Sequence, residues 1–343
     1  MSIFSKEDKI KAFSLLGDFL NTPTPAFETH IQQAQNHNAW FTVDEVKRSV
    51  SSIAQMLNEV DLRKWLTSYP EETKTYKVGL VLAGNLPLVG FHDVLCVLAS
   101  GNKVSIKLSS QDNQLLIAVL EQLFIIEPRF KDLVEIVFKL ENFDAIIATG
   151  SNNTSRYFEY YFAKVAHIIR KNRNTVAFLN GNETAEQLHI LGNDIFSYFG
   201  LGCRNVSKLY VPEGYVFNHF FESIEDFNPI INHHKYNNNY DYNKSIYLVN
   251  KVPHLDNGFL LVTQNDALCS PLSVLYYQTY THIADLEKEI NASAEAIQVL
   301  VSDTELNTIV PQVKFGQSQH PKLWDYADGV DTMEFLSSLQ SSN

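Results

Sequence analysis

The stretch KVGLVLAGNLPLVGFHDVLCVLASGNKVSIKLSS, residues 77–110, decides the predicted fold. It begins with an apolar run, 77–83, that is typical of a buried strand, and a Gly-Asn-Leu-Pro turn follows at 84–87. A helix is predicted over 89–98, and the β-branched run 104–108 predicts a second strand. Because strand, helix and strand follow one another at short spacing, the stretch predicts a parallel β-sheet covered by helices.

The same alternation of short apolar runs and helical stretches continues along the chain. Residues 6–66 repeat apolar side chains at helical spacing, and the segment 22–25 with its two prolines breaks the first helix. We interpret the polar segment 232–244, which is rich in Asn and Tyr, as an exposed loop. Further strands are predicted at 134–138, 144–148, 176–179, 207–211, 259–262, 273–277 and 296–301, and further helices at 111–125, 154–162, 183–198, 215–224 and 283–291.

A chain of 343 residues exceeds one average domain, so two domains are expected. The order of elements predicts an α/β fold, with a Rossmann-like nucleotide-binding domain at 71–174 and an α/β catalytic domain at 175–302. The helical segment 1–70 is expected to pack on the nucleotide-binding domain. Residues 303–343 form a C-terminal segment, which we expect to be docked because no flexible linker precedes WDYADGVDTMEFL.

The composition narrows the class of protein and its compartment. Hydrophobic residues make up 45% of the chain and charged residues 19%, as in an ordinary globular enzyme. The formal net charge of −12 repels polyanions, so a nucleic-acid partner is not expected. No apolar run is long enough for a membrane span, and the N-terminus has no signal-peptide run. The three cysteines show no close pairing, which favours a reducing compartment, and we expect a cytoplasmic protein.

Cys203, in the segment FGLGCRN, is the candidate nucleophile. Two glycines before the thiol allow a tight backbone and close approach of a ligand. The positive charge of Arg204 would lower the pKa of the neighbouring thiol and so raise its thiolate fraction. The alternative is a cysteine that only fills space in the core, which is how we interpret Cys96 in its apolar run.

Other candidates lie where predicted strands end. Asn85 in the first turn could donate its amide to a developing oxyanion, or it is only a turn residue. Lys107 ends the second strand, where it could bond a cofactor ribose or phosphate, or merely be solvated. In the segment Thr149-Gly150-Ser151, backbone N–H groups could face a pyrophosphate at a helix N-terminus. A G-x-G-x-x-G fingerprint is missing from the sequence.

Two further clusters are interpreted as structural. The adjacent histidines of the polar segment 232–244 lack a ligand set at metal spacing, so no metal site is expected. We interpret the basic residues Arg170, Lys171 and Arg173 as a solvated face.

Taken in order, these pieces resemble the aldehyde dehydrogenase superfamily over roughly residues 70–280. The stretch 83–110 resembles that family's Asn-x-Pro turn, helix and strand-ending lysine, and ATGS at 148–151 resembles its Gly-Ser element. Within the superfamily, FGLGCRNVSKLYVPEGY and LWDYADGVDT resemble the acyl-CoA reductases of the bacterial luminescence fatty acid reductase type, over about 38–335. The resemblance implies an aldehyde dehydrogenase-like fold.

The resemblance also implies a reaction and a set of site residues. Cys203 would attack an activated fatty acyl group, delivered as acyl-CoA or as an acyl-carrier thioester, while Asn85 and the Cys203 amide hold the oxyanion. Hydride from NAD(P)H would then reduce the enzyme thioester to the aldehyde. The residues that would contact the cofactor are Lys107, Ser109, Ser110, Gly150 and Ser151.

Three departures from the family pattern shape this expectation. Phe178 stands near the position of the glutamate that activates hydrolytic water in oxidising members, which favours reduction over release of an acid. Ala267 replaces a glutamate that would hold the nicotinamide ribose. Ser110 stands where NAD-preferring relatives place a glutamate, so we expect NADPH as the cofactor, with NADH as the alternative.

Several alternatives stay open at this point. The chain could be an NAD(P)-dependent aldehyde dehydrogenase that produces free acids. It could also be a non-catalytic acyl-binding subunit of a ligase or transferase complex, or an acyl transferase that needs no cofactor. An acyl-protein ligase or transferase is a candidate partner, and a homo-oligomer is a candidate assembly.

Overall fold

The computed structural model describes residues 4–70, 74–150 and 152–339. The chain divides into two compact units. Unit 1 contains the residues up to Asn172 together with those from Pro321 onward, and unit 2 contains Arg173–His320. The chain therefore completes unit 1 only after it has passed through the whole of unit 2.

The secondary structure alternates strands and helices after four N-terminal helices. The helices are α1 (Lys6–Asn21), α2 (Pro25–His37), α3 (Val43–Met56), α4 (Glu59–Thr67), α5 (Phe91–Ala99), α6 (Leu115–Ile126), α7 (Asn152–Phe162), α8 (Ala185–Phe196), α9 (Asn218–Ser223), α10 (His234–Val249), α11 (Ile283–Ala292) and α12 (Thr332–Ser338). The strands are β1 (Lys77–Val81), β2 (Lys103–Lys107), β3 (Val134–Ile136), β4 (Ala145–Thr149), β5 (Ala166–Arg170), β6 (Asn174–Phe178), β7 (Val206–Pro212), β8 (Leu255–Asp256), β9 (Leu261–Gln264), β10 (Val274–Tyr280), β11 (Ile297–Val301) and β12 (Gln312–Val313).

The four N-terminal helices of unit 1 each begin at a side-chain cap. Ser5, Thr24, Thr42 and Asn58 accept a hydrogen bond from a backbone N–H in the first turn of α1, α2, α3 and α4. Pro25 is the first residue of α2, a position that needs no N–H donor. The helices predicted over 6–66 are therefore confirmed, including the break between the first two.

The sheet of unit 1 is parallel, in the order β3-β2-β1-β4-β5. The chain moves outward from β1 in one direction through β2 and β3, and in the other through β4 and β5. The order therefore reverses between β1 and β4, which is a topological switch point. The predicted Rossmann-like layer is confirmed, and β5 is an edge strand that the sequence pattern did not indicate.

Unit 2 contains a seven-stranded sheet in the order β12-β11-β6-β7-β10-β9-β8. All neighbouring strands are parallel except β8, which pairs antiparallel with β9. The α/β class predicted for this part of the chain is thus confirmed.

The loop predicted at 232–244 is wrong, because these residues begin the 16-residue helix α10. Tyr236, Tyr240 and Asn243 are buried and recur at helical spacing, so one face of α10 packs inward although few of its residues are aliphatic. The Tyr236 hydroxyl donates to the Phe259 carbonyl at 3.0 Å. The buried face of this helix consists of aromatic rings and an amide, whereas a buried face is usually predicted from aliphatic residues.

The interpretation of Arg170 as part of a solvated face is also wrong. Its side chain is buried and its guanidinium contacts the Asp93 carboxylate at 2.6 Å. The same guanidinium donates to the Ala327 carbonyl at 2.7 Å and to the Thr332 hydroxyl at 2.9 Å. Arg170 therefore joins β5, α5 and the C-terminal segment within unit 1.

Buried apolar side chains also hold the C-terminal segment against unit 1. Leu323, Tyr326, Met333 and Leu336 are buried in the core of unit 1. The Trp65 indole N–H donates to the Tyr326 hydroxyl at 2.7 Å. The segment from 321 to 339 therefore belongs to the packed interior of unit 1, while residues 303–320 belong to unit 2.

No helix within the described ranges is long and apolar enough to cross a membrane.

Replacing Arg170 with Met should lower the free energy of unfolding by about 3–5 kcal/mol, because the Asp93 carboxylate would stay buried without its charged partner. Urea unfolding at neutral pH measures this loss. The matched control is Arg63→Met, which removes an exposed pair with Glu7 and should change stability much less. Equal losses in both variants would contradict the structural role of Arg170.

Candidate functional site

The predicted site residues of unit 1 meet at the carboxyl edge of its sheet. Val81, the last residue of β1, pairs with Lys107 on one side and with Ala148 on the other. The turn that carries Asn85 follows β1, and Gly150 follows β4. These residues therefore surround the switch point, where open α/β sheets bind ligands.

The turn after β1 rests directly on the segment after β2. A Cβ atom at Gly84 would lie 2.6 Å from the Ser109 Cβ and 3.0 Å from the Asp112 backbone nitrogen, so only glycine allows this approach. At the far end of the turn, Leu88 has a left-handed backbone with φ of 58°. Asn85 lies between these two anchored points and is exposed.

The segment after β2 presents a short polar edge. The side chains of Lys107 and Ser110 are exposed, and Ser109 is half-buried. Ser109 forms an isolated antiparallel bridge with Asp112, and its hydroxyl accepts a hydrogen bond from the Gln111 N–H at 3.2 Å. This bend holds Ser109 and Ser110 beside the end of β2.

The connection from β4 into α7 is tightly packed at Gly150. A Cβ atom there would approach Phe158 and Thr154 at 3.0 Å each. Gly150 thus allows the chain to turn from the strand into the helix at close range. Ser151, which the sequence also assigns to this element, lies outside the described residues.

This edge has the donor set that a dinucleotide needs. Lys107 offers a positive charge, Ser109 and Ser110 offer hydroxyls, and the chain passes from Gly150 into a helix N-terminus. The residues present at the switch point therefore fit a nicotinamide dinucleotide, although the fingerprint glycines are absent from the sequence.

Asp112 is a buried carboxyl group that no pattern in the sequence singles out. Its Oδ2 accepts a hydrogen bond from the Leu88 N–H at 2.8 Å. Burial raises the pKa of Asp112 to about 6, against the opposing effect of the Leu88 and Leu115 backbone N–H groups.

Replacing Asp112 with Asn should make stability less dependent on pH. The native state holds the Asp112 proton more tightly than the unfolded chain, whose aspartate pKa is about 3.9, so wild-type stability falls between about pH 4 and pH 6 as pH rises. The variant should gain up to about 3 kcal/mol over wild type across that window. Chemical denaturation from pH 3.5 to 7.5 measures the difference, and a constant difference would contradict the raised pKa.

The candidate nucleophile of unit 2 lies on a loop that one asparagine holds. Cys203 is exposed, whereas Asn205 is buried. The Asn205 Oδ1 accepts a hydrogen bond from the Gly202 N–H at 2.8 Å, and its Nδ2 donates to the Ser197 carbonyl at 2.8 Å and to the Asp194 carbonyl at 3.1 Å. The Asn205 amide thus connects the residues on both sides of Cys203, Gly202 and Asn205 itself, to the C-terminal end of α8.

The backbone before this loop is strongly bent. Tyr198, Phe199 and Gly200 have φ of 52°, 59° and 77°, so three successive residues are left-handed. This conformation favours Gly200 and costs energy at the two aromatic residues, which are buried. Burial of the aromatic rings therefore helps to hold the bend that leads to Cys203.

A second contact fixes Cys203 against the sheet. The buried Thr175 hydroxyl donates to the Cys203 carbonyl at 2.9 Å. Thr175 lies near the beginning of β6, and Cys203 precedes β7, which pairs with β6. Cys203 therefore lies at the amino ends of these two strands.

Position 178 lies at the other end of β6 from the Cys203 carbonyl. Phe178 is the last residue of β6 and pairs with Tyr210. Strands rise about 3.3 Å per residue, so Phe178 lies about 10 Å further along the strand than Thr175. The resemblance of position 178 to the family's glutamate position stays a prediction. The sequence has no Asp or Glu from 160 to 182, so this stretch supplies no carboxylate at either position.

Arg204 is held by a neighbouring segment of unit 2. Its guanidinium donates to the Ser318 carbonyl at 3.5 Å. The buried Asp194 carboxylate accepts from the Ser318 N–H at 3.0 Å and from the Ser318 hydroxyl at 2.7 Å. Burial raises the pKa of Asp194. An effect of Arg204 on the Cys203 thiol stays a prediction.

The loop that contains Ala267 reaches the same end of β7. The Ser207 hydroxyl donates to the Leu268 carbonyl at 2.7 Å, and the Lys208 ammonium donates to the Asp266 carbonyl at 2.8 Å. Ala267 and Asp266 are exposed. The side chain at 267 thus offers no hydrogen bond to a ribose, and Asp266 is the acidic residue of this loop.

Within the described ranges, no group of three or more His, Cys, Asp or Glu residues could hold a metal ion. His233 has a structural role, because its Nδ1 accepts a hydrogen bond from the Tyr236 N–H at the beginning of α10.

Comparison with known proteins identifies the fold. No family model matches the chain, and no curated protein matches it by sequence. Aldehyde dehydrogenase 21 from Physcomitrella patens, in complex with succinate, has a TM-score of 0.68 at 13% identity, covering 99% of this chain and 85% of that one. A putative aldehyde dehydrogenase from Burkholderia cenocepacia has a TM-score of 0.63 at 15% identity, covering 88% and 75%. The chain thus has the fold of the aldehyde dehydrogenases.

A third solved structure of this fold includes ligands. It is a variant of aldehyde dehydrogenase C from Pseudomonas syringae in complex with NAD⁺ and octanal, with a TM-score of 0.60 at 12% identity, covering 90% of this chain and 76% of that one.

Proposed function

We propose that this protein is an oxidoreductase that uses a nicotinamide cofactor and forms a thioester on Cys203. In its main direction it would reduce an activated fatty acyl group to the aldehyde. The observation that carries the proposal is the Cys203 loop, in which an exposed thiol is held by Asn205 and Thr175 at its two sides. A nucleophile needs this combination of access and fixed geometry.

The chain's own residues would act in the following way. The Cys203 thiolate attacks the acyl carbonyl carbon, and the bond to the carrier sulfur breaks, so that the carrier leaves as a thiol after protonation. The Asn85 amide and the Cys203 N–H would stabilise the oxyanion of each tetrahedral intermediate.

Reduction then releases the aldehyde. A bound nicotinamide would supply a hydride, which carries the pair of electrons that reduction of the Cys203 thioester carbon requires. The resulting thiohemiacetal loses the Cys203 thiolate and leaves as the aldehyde. The net reaction consumes one acyl thioester, one NAD(P)H and one proton, and it yields the aldehyde, the carrier thiol and NAD(P)⁺.

The absence of a carboxylate near Thr175 favours a thiol or hydride over water as the next reactant. There is no Asp or Glu in two stretches of the sequence: 160–182, which includes β6, and 195–212, which includes the Cys203 loop and β7. Without a general base from these stretches, hydrolysis of the thioester should be slow. Whether coenzyme A or a carrier protein delivers the acyl group, and whether a ligase or transferase acts as partner, stay predictions.

Aldehyde oxidation is the second candidate. The solved structures with this fold are aldehyde dehydrogenases, and they support oxidation more directly than acyl reduction. In that direction, water would attack the same Cys203 thioester. Asp266 is the acidic residue of the loop beside the beginning of β7 and is the candidate base for it.

Replacing Cys203 with Ala should lower turnover of acyl-CoA with NADPH by at least about three orders of magnitude, because the nucleophile is lost. NADPH absorbance measures turnover, and mass spectrometry of enzyme exposed to acyl-CoA should find the acyl adduct on Cys203. Cys269→Ala, which removes the other exposed cysteine, is the matched control and should retain both turnover and the adduct.

Two outcomes would decide against acyl reduction. Wild-type NADPH oxidation by the Cys203→Ala variant would exclude the thioester mechanism. Rapid formation of free acid from aldehyde and NADP⁺, without a carrier thiol, would favour the second candidate.

Replacing Ser110 with Glu should weaken NADPH binding by at least about tenfold, because a carboxylate repels the 2′-phosphate, and should change NADH binding much less. Fluorescence titration of both cofactors measures the ratio of their dissociation constants. Ser110→Gln is the neutral control of similar size. An unchanged ratio would place the adenine ribose away from Ser110.

A further inference from the structure

We propose that Asp112 is a positioning residue that fixes the Asn85 turn against the Lys107–Ser110 edge. The candidate oxyanion donor and the candidate cofactor contacts would then share one anchor. The roles of Asn85 and Ser110 in this inference rest on the proposed function. The anchoring contacts themselves do not.

The hydrogen bond between Asp112 and Leu88 anchors one end of the turn. The Leu88 N–H is the donor, and the carboxylate oxygen lies 2.8 Å from it. Leu88 is 3% exposed and left-handed, so its N–H has little access to water and its backbone is strained. An ionised acceptor forms a stronger hydrogen bond than a neutral one and so offsets more of this strain.

The other end of the turn, at Gly84, packs against the segment after β2, which contains Asp112. Gly84 lies against Ser109 and against the backbone nitrogen of Asp112. The turn is therefore anchored at Gly84 and at Leu88, and both anchors lead to Asp112. Asn85 lies between them, so its position follows that of Asp112.

Asp112 also holds the polar edge after β2. Asp112 forms a backbone bridge with Ser109, and this bridge closes the bend that carries Ser110. One buried residue therefore links the ends of β1 and β2. A displaced Asp112 would move the candidate oxyanion donor and the candidate ribose contacts together.

The burial of Asp112 supports a role beyond stability. The residue is 8% exposed. Burying a carboxyl group lowers stability, and natural proteins break such rules mainly at functional sites.

A double-mutant cycle with Asn85 tests the inference. Asp112→Ala should slow acylation of Cys203 by about tenfold or more, whereas Asp112→Asn, which keeps an acceptor for Leu88, should recover most of that rate. In the Asn85→Ala background, Asp112→Ala should slow acylation by less than about twofold, because the group that it positions is gone. Release of coenzyme A from acyl-CoA measures the acylation rate.

Asn58→Ala is the control for a general loss of stability in unit 1. It removes the cap of α4 and should leave acylation unchanged. Equal, additive losses from Asp112→Ala in both Asn85 backgrounds would overturn the positioning role, and so would a wild-type rate in the single variant.

Amide hydrogen exchange at Leu88 separates this inference from the proposed function. Exchange should be faster by about tenfold or more in Asp112→Ala and close to wild type in Asp112→Asn. Unchanged exchange in Asp112→Ala would overturn the anchoring, whatever reaction the protein catalyses. Faster exchange together with full turnover by Cys203→Ala would leave the anchoring intact and would refute the proposed function instead.

Discussion

The buried ion pair between Arg170 and Asp93 is the interaction on which unit 1 depends. Arg170 ends β5, and Asp93 lies in the first turn of α5, directly after the turn that carries Asn85. The same guanidinium bonds Ala327 and Thr332 of the C-terminal segment. A buried charge is tolerated only when it is paired and hydrogen-bonded. Strand, helix and C-terminal segment must therefore come together for either charge to be buried.

The two units hold their candidate residues by the same physical means at different strand ends. In unit 1 the residues lie beyond the carboxyl ends of parallel strands, and the Asp112 carboxylate holds the turn. In unit 2 Cys203 lies at the amino ends of β6 and β7, and the Asn205 amide holds its loop. In both cases a buried polar side chain forms hydrogen bonds with backbone groups that have no partner within a helix or strand. The exposed candidate residue nearby, Asn85 or Cys203, is held in place as a result.

The sequence predicted the units of regular structure well, because apolar periodicity reports which faces are buried. It failed at α10, where Tyr236 and Asn243 carry the burial, and at Arg170, whose partner lies 77 residues away in the chain. It suggested Cys203 and Asn85 as candidates from their glycine-rich and proline-containing turns, and their roles stay predictions. It missed Asp112 and similar anchors, because a buried acid in a polar segment looks like a solvated one. It could not show which end of β6 lies beside the Cys203 loop, because only the pairing of β6 with β7 and the Thr175 contact show that.

The discontinuous course of unit 1 has a consequence for how the chain folds during synthesis. When the ribosome has completed residue 172, the five strands of the first sheet exist, but Leu323, Tyr326 and Met333 have not yet been made. The apolar surface that they later cover stays open while 148 further residues emerge. Unit 2 is therefore synthesised while unit 1 is unfinished, and Leu323, Tyr326 and Met333 complete a core whose first helix was translated more than 300 residues earlier. The nascent chain is most exposed to aggregation during that interval.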